Sequence, residues 1–364
     1  MRIVFNRKAS VRVAALATGI AAGAIGWAAP AVSQEISDDV VKIGIMNDRS
    51  GVYADAGGEG SVVAARLAVE DFGGTVLGAP VEIVAADLGS DEGWGEAVKG
   101  VSYVHHVASP FPAETPKSAD ELIVPARDGA LRVLKAAKAE GVKRVVLTSS
   151  FAAISYGWGD QRPGVLTEVH WSKPDRLDDN TAYTRSKTIA EKAAWDYVTG
   201  EGAGLELSVI NPVAVFGPVM SEDVSSSLQL ISQPLQGKLP AFPKLNFGVV
   251  DVRDVARAHI EAMVRPEANG ERFICGGDLL WMEEVGDILR EAFPDRKIPK
   301  GTLPSWLVRL FAQVNPPLKQ ILPELGRKRA YSNEKLKNVL GIEPIPADEA
   351  VRASAESLIR VGAV

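Results

Sequence analysis

Short apolar runs alternate with longer segments of helical period along the first half of this chain, and that alternation leaves few folds open. Val40-Val-Lys-Ile-Gly-Ile45, Pro80-Val-Glu-Ile-Val-Ala86, Val101–Val107, Arg144–Thr148 and Leu205–Ile210 read as strands. Between them, Ser61–Phe72 places Val62, Ala65, Val69 and Phe72 at helical spacing, and Gly73-Gly74 stops it. Ala119–Glu140 carries Leu122, Val124, Leu131, Val133, Leu134 and Ala137, and Thr181–Thr199 reads as a further helix. Short apolar strands, each followed by a helix, argue an α/β fold: a doubly wound parallel sheet covered on both faces. Beyond Gly217 the pattern loosens. Helices over Val252–Val264, Met282–Ala292, Ser305–Val314 and Ala347–Ile359 are joined by Pro- and Gly-rich segments, with a strand at Arg272–Gly276. They predict a small, mainly helical lobe over the carboxyl ends of the strands, where open α/β sheets bind ligands.

The chain of 364 residues can hold one large α/β domain and a smaller lobe. A net charge of −6 and the lack of a dense basic patch argue against a nucleic-acid surface. Arg327-Lys328-Arg329 reads as a solvated helix end or loop. Cys275 is the single cysteine, so neither an intrachain disulfide nor a thiolate metal cluster can form, and it reads as a buried small hydrophobe. The start has another character. Arg2, Arg7, Lys8 and Arg12 precede a charge-free run from Val13 to Gln34, and Ala31-Val-Ser33 offers small residues for cleavage. Residues 1–33 therefore read as a signal peptide, with an uncleaved membrane anchor as the alternative. Export to the periplasm or outside is expected, with no stable membrane association after cleavage.

Candidate chemistry lies in Tyr183-Thr-Arg-Ser-Lys187 and in Thr148-Ser149-Ser150 at the end of an apolar run. A Tyr and a Lys at i and i+4 share one helix face. An ammonium near a phenol favours the phenolate, and a strand-end hydroxyl can hydrogen-bond the same substrate oxygen. Ser150, Tyr183 and Lys187 together describe proton transfer for carbonyl–alcohol interconversion. His105 and His106 read as strand-end residues rather than ligands or bases.

From Val84 to the C-terminus the chain resembles the extended short-chain dehydrogenase/reductases, in the group of dihydroflavonol, cinnamoyl-CoA and fungal ketone and aldehyde reductases. The matching blocks are Ala86-Asp87-Leu88, His106-Val-Ala-Ser-Pro-Phe-Pro112, Arg144-Val-Val-Leu-Thr-Ser-Ser150 and Ala182-Tyr-Thr-Arg-Ser-Lys187. Ala190-Glu-Lys-Ala-Ala-Trp195, Asn211-Pro-Val-Ala-Val-Phe-Gly-Pro218 and Val250-Asp-Val-Arg-Asp-Val-Ala256 follow in order. The resemblance implies a Rossmann-like, NADP- or NAD-dependent oxidoreductase acting on a small carbonyl substrate. It makes Tyr183 the general acid, has Lys187 lower its pKa and hold the nicotinamide ribose, and has Ser150 orient the carbonyl. It brings Asp87 and Leu88 to the adenine, Ala108 and Ser109 to the cofactor groove, and Pro212 and Val213 to the carboxamide. Trp171 matches a family tryptophan with a packing role.

Residues 34–87 resemble something else. Val41-Lys-Ile-Gly-Ile-Met-Asn-Asp-Arg-Ser-Gly-Val-Tyr-Ala-Asp55, Gly57-Gly-Glu-Gly60 and Ala64-Ala-Arg-Leu-Ala-Val-Glu-Asp71 look like the first β-α-β unit of a periplasmic binding protein for branched-chain amino acids or amides. The reductase family's tight G-x-x-G-x-x-G turn has no counterpart there. Gly57, Gly58 and Gly60 follow a long loop, and Glu59 would set a carboxylate beside a pyrophosphate. The implied organisation is a signal peptide at 1–33, the β-α-β unit at 34–87, the remainder of the reductase domain with its catalytic residues at 84–220, and a substrate lobe with returning sheet elements at 221–364. A solute-binding remnant or an inactive fusion is the alternative to a reductase. A cytoplasmic location is expected if residues 1–87 lie outside the native frame.

Overall fold

The apolar runs form strands where their alternation with helices places them. In the computed structural model, residues 41–47, 66, 69–76, 79–107, 109, 118–220, 225, 227–313 and 316–364 are described. Strand β1 (Val41–Asn47) pairs in parallel with β3 (Ala79–Asp87), Val41 opposite Val81 and Asn47 opposite Asp87. The short β2 (Thr75–Val76) joins the other edge of β3 antiparallel. Strands β1 and β3 thus sit side by side, with β3 in the middle of the β1-β3-β2 group. The signal segment, the loop over 48–60 with its glycines, and most of the helix expected at 61–72 lie outside the described residues.

A second parallel sheet carries the candidate site. Helix α1 (Trp94–Val98) leads to β4 (Tyr103–His106), α2 (Asp120–Ala139), β5 (Arg144–Thr148), a short α3 (Ala152–Ser155), α4 (Ala182–Thr199) and β6 (Glu206–Pro212). With β10 (Arg272–Cys275) these strands run in the order β10-β6-β5-β4, all parallel. Among the described residues, no ladder joins β1 or β3 to β4. The link is made by side chains: Ala86 and Leu88 share a buried cluster with Trp94, Val104, Val133 and Leu134. Gly129 makes room for this, since a Cβ there would lie 3.0 Å from the Leu88 side chain. The buried face of α2 runs through Leu122, Ile123, Ala126, Ala130, Val133, Leu134 and Ala137. Val124, expected on that face, is exposed, because Ile123 occupies the core position of its turn.

The C-terminal lobe holds more strand than expected. Strand β7 (Ala214–Phe216) pairs in parallel with β9 (Asn246–Asp251), and β11 (Leu279–Trp281) joins β9 antiparallel. A parallel pair, β8 (Phe242–Pro243) with β12 (Thr302–Leu303), lies beside them in sequence. Three helices of this half also escaped the periodicity: α5 (Gln229–Leu235), Pro316–Ile321 and Glu334–Leu340. Helix α6 (Val252–Val264) starts at Asp251, whose carboxylate accepts from Arg253 N at 2.8 Å. Its last carbonyls receive the buried Arg144 guanidinium, which reaches Ala262 O at 2.8 Å and also pairs with Glu206.

Candidate active site

Strand ends and one helix face bring the expected trio together. The β5 ladder continues past Thr148, with Ser149 N donating to Ile210 O at 2.8 Å and Phe151 N to Pro212 O at 2.9 Å. Ser150 is pinned between these two bonds, and its Oγ accepts from Ala152 N at 3.1 Å. Helix α4 starts sharply because Thr181 and Thr184 cap each other, Thr184 N reaching Thr181 Oγ1 at 3.2 Å and Thr181 N reaching Thr184 Oγ1 at 2.9 Å. That start puts Tyr183 in the first turn and Lys187 one turn on. Tyr183 Oη donates to Ser150 Oγ at 3.5 Å, and Lys187 Nζ lies 5.6 Å from the Tyr183 ring centre.

The electrostatics depart from the expectation drawn from the sequence. Lys187 was expected to hold the phenol low; instead burial raises the Tyr183 pKa, and only the Ser150 hydrogen bond pulls the other way. Burial also lowers Lys187, to about 8. Both charged forms are disfavoured for one reason, removal from water. Among the described residues the Lys187 ammonium has no carboxylate or hydrogen-bond partner, although the residue is only 8% exposed. A buried ammonium so placed fits a ligand that brings hydroxyl acceptors, as a ribose does.

The remaining expected cofactor residues divide. Val213 N donates to Cys275 O at 3.1 Å, and Pro212 accepts from Phe151, so both lie where β6 ends beside Ser150. Ser109 is half-buried, three residues beyond the end of β4, and Ala108 lies outside the described residues. Asp87 closes a turn, its Oδ1 accepting from Gly89 N at 2.8 Å. Leu88, expected at the adenine, has its side chain 2% exposed in the core under α2; only its carbonyl faces outward groups, accepting from Arg132 at 2.6 Å. Packing against Gly129 holds that side chain in the core.

Two groups of residues gain a place that the sequence did not reveal. Glu191, one turn beyond Lys187, is buried and accepts from Ser149 Oγ, from Asn211 Nδ2 at 2.8 Å and from Arg272 Nε at 2.5 Å. The i, i+4, i+8 spacing of Tyr183, Lys187 and Glu191 is the signal that could have shown it. Arg272 stacks at 3.7 Å on Trp171, which gives that tryptophan its packing role. The basic cluster Arg327-Lys328-Arg329 is not a solvated end throughout. Arg329 is 6% exposed, bonded to Glu324 and, at 2.5 Å, to Ser155 Oγ, because a carboxylate and a hydroxyl meet its guanidinium inside. Cys275 is buried, as expected of a small hydrophobe.

His105 and His106 stand at the end of β4, as expected. Burial lowers both to about 4, with the charge of His259 adding to the first and that of Lys187 to the second. His259 Nδ1 donates to Val255 O at 2.8 Å, so its Nε2 accepts from Thr148 Oγ1 at 2.6 Å. Among the described residues no group of three or more His, Cys, Asp or Glu could hold a metal ion.

A family model for the NAD dependent epimerase/dehydratase family matches residues 53–276. The chain belongs to that family. The match begins inside the segment that resembles a periplasmic binding protein, so residues 53–87 fall within the family's own span. A cinnamoyl-CoA reductase of Medicago truncatula is 33% identical over 76% of this chain and 79% of its own length. Among solved structures, a yeast methylglyoxal/isovaleraldehyde reductase complexed with NADPH superposes with a TM-score of 0.67 at 28% identity, covering 89% of this chain and all of the other. A Candida albicans structure, also complexed with NADPH, has a TM-score of 0.65 at 25% identity, covering 88% of this chain and 99% of the other. The Rossmann-like α/β fold and the reductase resemblance read from the sequence are thereby established.

Proposed function

We propose that this protein is an NADPH-dependent carbonyl reductase that converts a small aldehyde or ketone to an alcohol. The observation that carries the reading is the meeting of the Ser150 and Tyr183 hydroxyls at the strand ends, beside a buried Lys187 that has no ion-pair or hydrogen-bond partner among the described residues. The relatives supply the cofactor and the substrate class: the yeast enzyme reduces methylglyoxal and isovaleraldehyde and carries NADPH.

A nicotinamide held by Lys187 and lying near Pro212 and Val213 would supply the hydride for the carbonyl carbon. Ser150 Oγ and Tyr183 Oη hydrogen-bond the carbonyl oxygen, and the Tyr183 proton moves to it as negative charge develops. The raised phenol pKa keeps Tyr183 protonated and ready to donate. Lys187, still an ammonium below about pH 8, then stabilises the phenolate that remains. NADP is favoured over NAD by the relatives; Asp87 and Ser109 stand at the strand ends where the cofactor would lie, and Pro212 and Val213 at its nicotinamide end.

Absorbance at 340 nm tests this with methylglyoxal, isovaleraldehyde and an aromatic aldehyde as substrates. NADPH oxidation is expected for the protein as it stands, reduced by about 100-fold or more in Tyr183→Phe. Absence of turnover with every carbonyl, together with no NADPH binding up to millimolar, would overturn the reading. Location belongs to the same proposal: the basic start and charge-free run of residues 1–33 support export. A cytoplasmic protein is the alternative where residues 1–87 are outside the native frame. Mass analysis of the mature N-terminus, with fractionation, decides between them.

A further inference from the structure

Glu191 is the point at which the helix carrying Tyr183 and Lys187 is tied to the strands carrying Ser150. Its carboxylate is the acceptor for four donors from four segments. Oε2 accepts from Ser149 Oγ, at the end of β5, and from Asn211 Nδ2, at 2.8 Å from β6. Oε1 accepts from Arg272 Nε, at 2.5 Å from β10, and from Trp195 Nε1 at 3.4 Å within the same helix. Glu191, Ser149, Asn211 and Arg272 are all buried. Arg272 is itself held by Glu168 O at 2.7 Å and His170 O at 2.9 Å, so the charge that meets Glu191 is fixed in place. The Asn211 amide then passes the constraint on: the same Nδ2 donates to Ser150 O at 3.1 Å.

We propose that Glu191 is a positioning residue for the reaction: acting through Ser149 and Asn211, it holds the Ser150 peptide where the Ser150 hydroxyl meets Tyr183. Two features distinguish this from support of the fold alone. Both links end on the serine pair, one at the Ser149 side chain and one at the Ser150 carbonyl. Among the described residues Asn211 Oδ1 is buried without a partner, which leaves the amide set by what its Nδ2 finds. In Glu191→Gln, one side-chain oxygen becomes an NH2 facing donors. With the remaining oxygen kept by the Arg272 guanidinium, that NH2 faces Ser149 and Asn211; the Asn211 amide meets it by turning its oxygen toward it, and this withdraws the bond to Ser150 O.

The kinetic readout rests on the reductase reading above. Steady-state kinetics with NADPH would compare the unaltered protein, Glu191→Gln, Ser150→Ala and the double variant, each checked for folding by circular dichroism. Glu191→Gln is expected to lower kcat about tenfold or more. The NADPH Kd should stay within about threefold, because Tyr183 and Lys187 keep their helix. In the Ser150→Ala background the same substitution should lower kcat by less than about twofold, since the group it positions is gone. Losses that multiply instead would overturn the proposal, as would an unchanged kcat. Ser149→Ala cuts one link and leaves the ion pair intact; should Glu191→Gln fail to fold, a kcat lowered about threefold or more in Ser149→Ala supports the proposal, and an unchanged one overturns it. If the unaltered protein shows no turnover, the reductase reading fails separately, and amide exchange decides. Faster exchange of the Ser149 and Phe151 amides in Glu191→Gln, with the Val145–Leu147 amides unchanged, supports the proposal, and unchanged exchange at all of them overturns it.

Discussion

Lys187 shows most directly how function is set against stability in this molecule. An ammonium placed 8% exposed, with no carboxylate beside it among the described residues, is a group the fold would be steadier without. Its pKa falls from 10.5 to about 8 through burial alone, which corresponds to about 3 kcal/mol of destabilisation at neutral pH. The sign follows from proton uptake. Between pH 8 and 10.5 the unfolded chain binds the proton and the folded chain does not, so this cost is complete below about pH 8 and fades as pH rises toward 10.5. Replacing Lys187 by Met, similar in length and apolar, is expected to raise stability by about 1–3 kcal/mol at pH 7 while abolishing carbonyl reduction. The gain should shrink when the unfolding is repeated at pH 10. Chemical denaturation at the two pH values measures it, and a Lys187→Met protein no steadier than the original at pH 7 would show that the ammonium finds compensation elsewhere.

At the scale of single elements, β4 stores a comparable tension in its last two residues. His105 and His106 are lowered from 6.5 to about 4 by burial, so both are neutral in the folded protein at physiological pH. A histidine whose folded pKa is depressed adds stability above its unfolded pKa, and that stability is lost as pH falls from 6.5 toward 4. His106, 3% exposed where His105 is only half-buried, should dominate. Urea midpoints at pH 7 and pH 5 are expected to differ for the unaltered protein, and His106→Asn should narrow that difference. An equal difference in both would assign the acid sensitivity to other groups. The elements themselves were largely legible. Arg144–Thr148, Val252–Val264 and Met282–Ala292 have the bounds their periodicity assigns, since each ends where an apolar pattern ends. The β7-β9-β11 sheet was not, because its outer strands have three residues each, too few to carry a period. Of the site, Ser150, Tyr183 and Lys187 were readable from local spacing. The Glu191–Arg272 pair was hidden, because its partners are 81 positions apart and only the folded sheet brings them together.

For the molecule as a whole, the decisive junction is between the β1–β3 pair and the four-stranded sheet. Backbone ladders hold each group internally, and among the described residues none crosses between them. The crossing is made by Ala86, Leu88, Trp94 and Val104 in one apolar cluster, and by Arg132, which reaches Leu88 O at 2.6 Å and pairs with Asp91. Side-chain packing without a shared ladder gives a group that can open by itself, because its internal hydrogen bonds do not depend on the neighbouring sheet. Exchange of the β1 and β3 amides is therefore expected before that of β5 and β6, which lie inside the second sheet. Leu88 is the sensitive point. Truncation to Ala removes a fully packed side chain from against Gly129 and should cost about 2–4 kcal/mol. Most of that loss should appear as earlier opening of 79–87 rather than of 144–148. Since Asp87 ends the strand expected to approach the adenine and Leu88 follows it directly, Leu88→Ala should also weaken NADPH binding while kcat at saturating NADPH stays within about threefold. Hydrogen-exchange mass spectrometry and an NADPH titration read the two effects separately. Uniform loss of protection across both sheets would mean that the junction is as cooperative as a ladder, and that the cofactor's adenosine end is built on the same rigid body as Ser150, Tyr183 and Lys187.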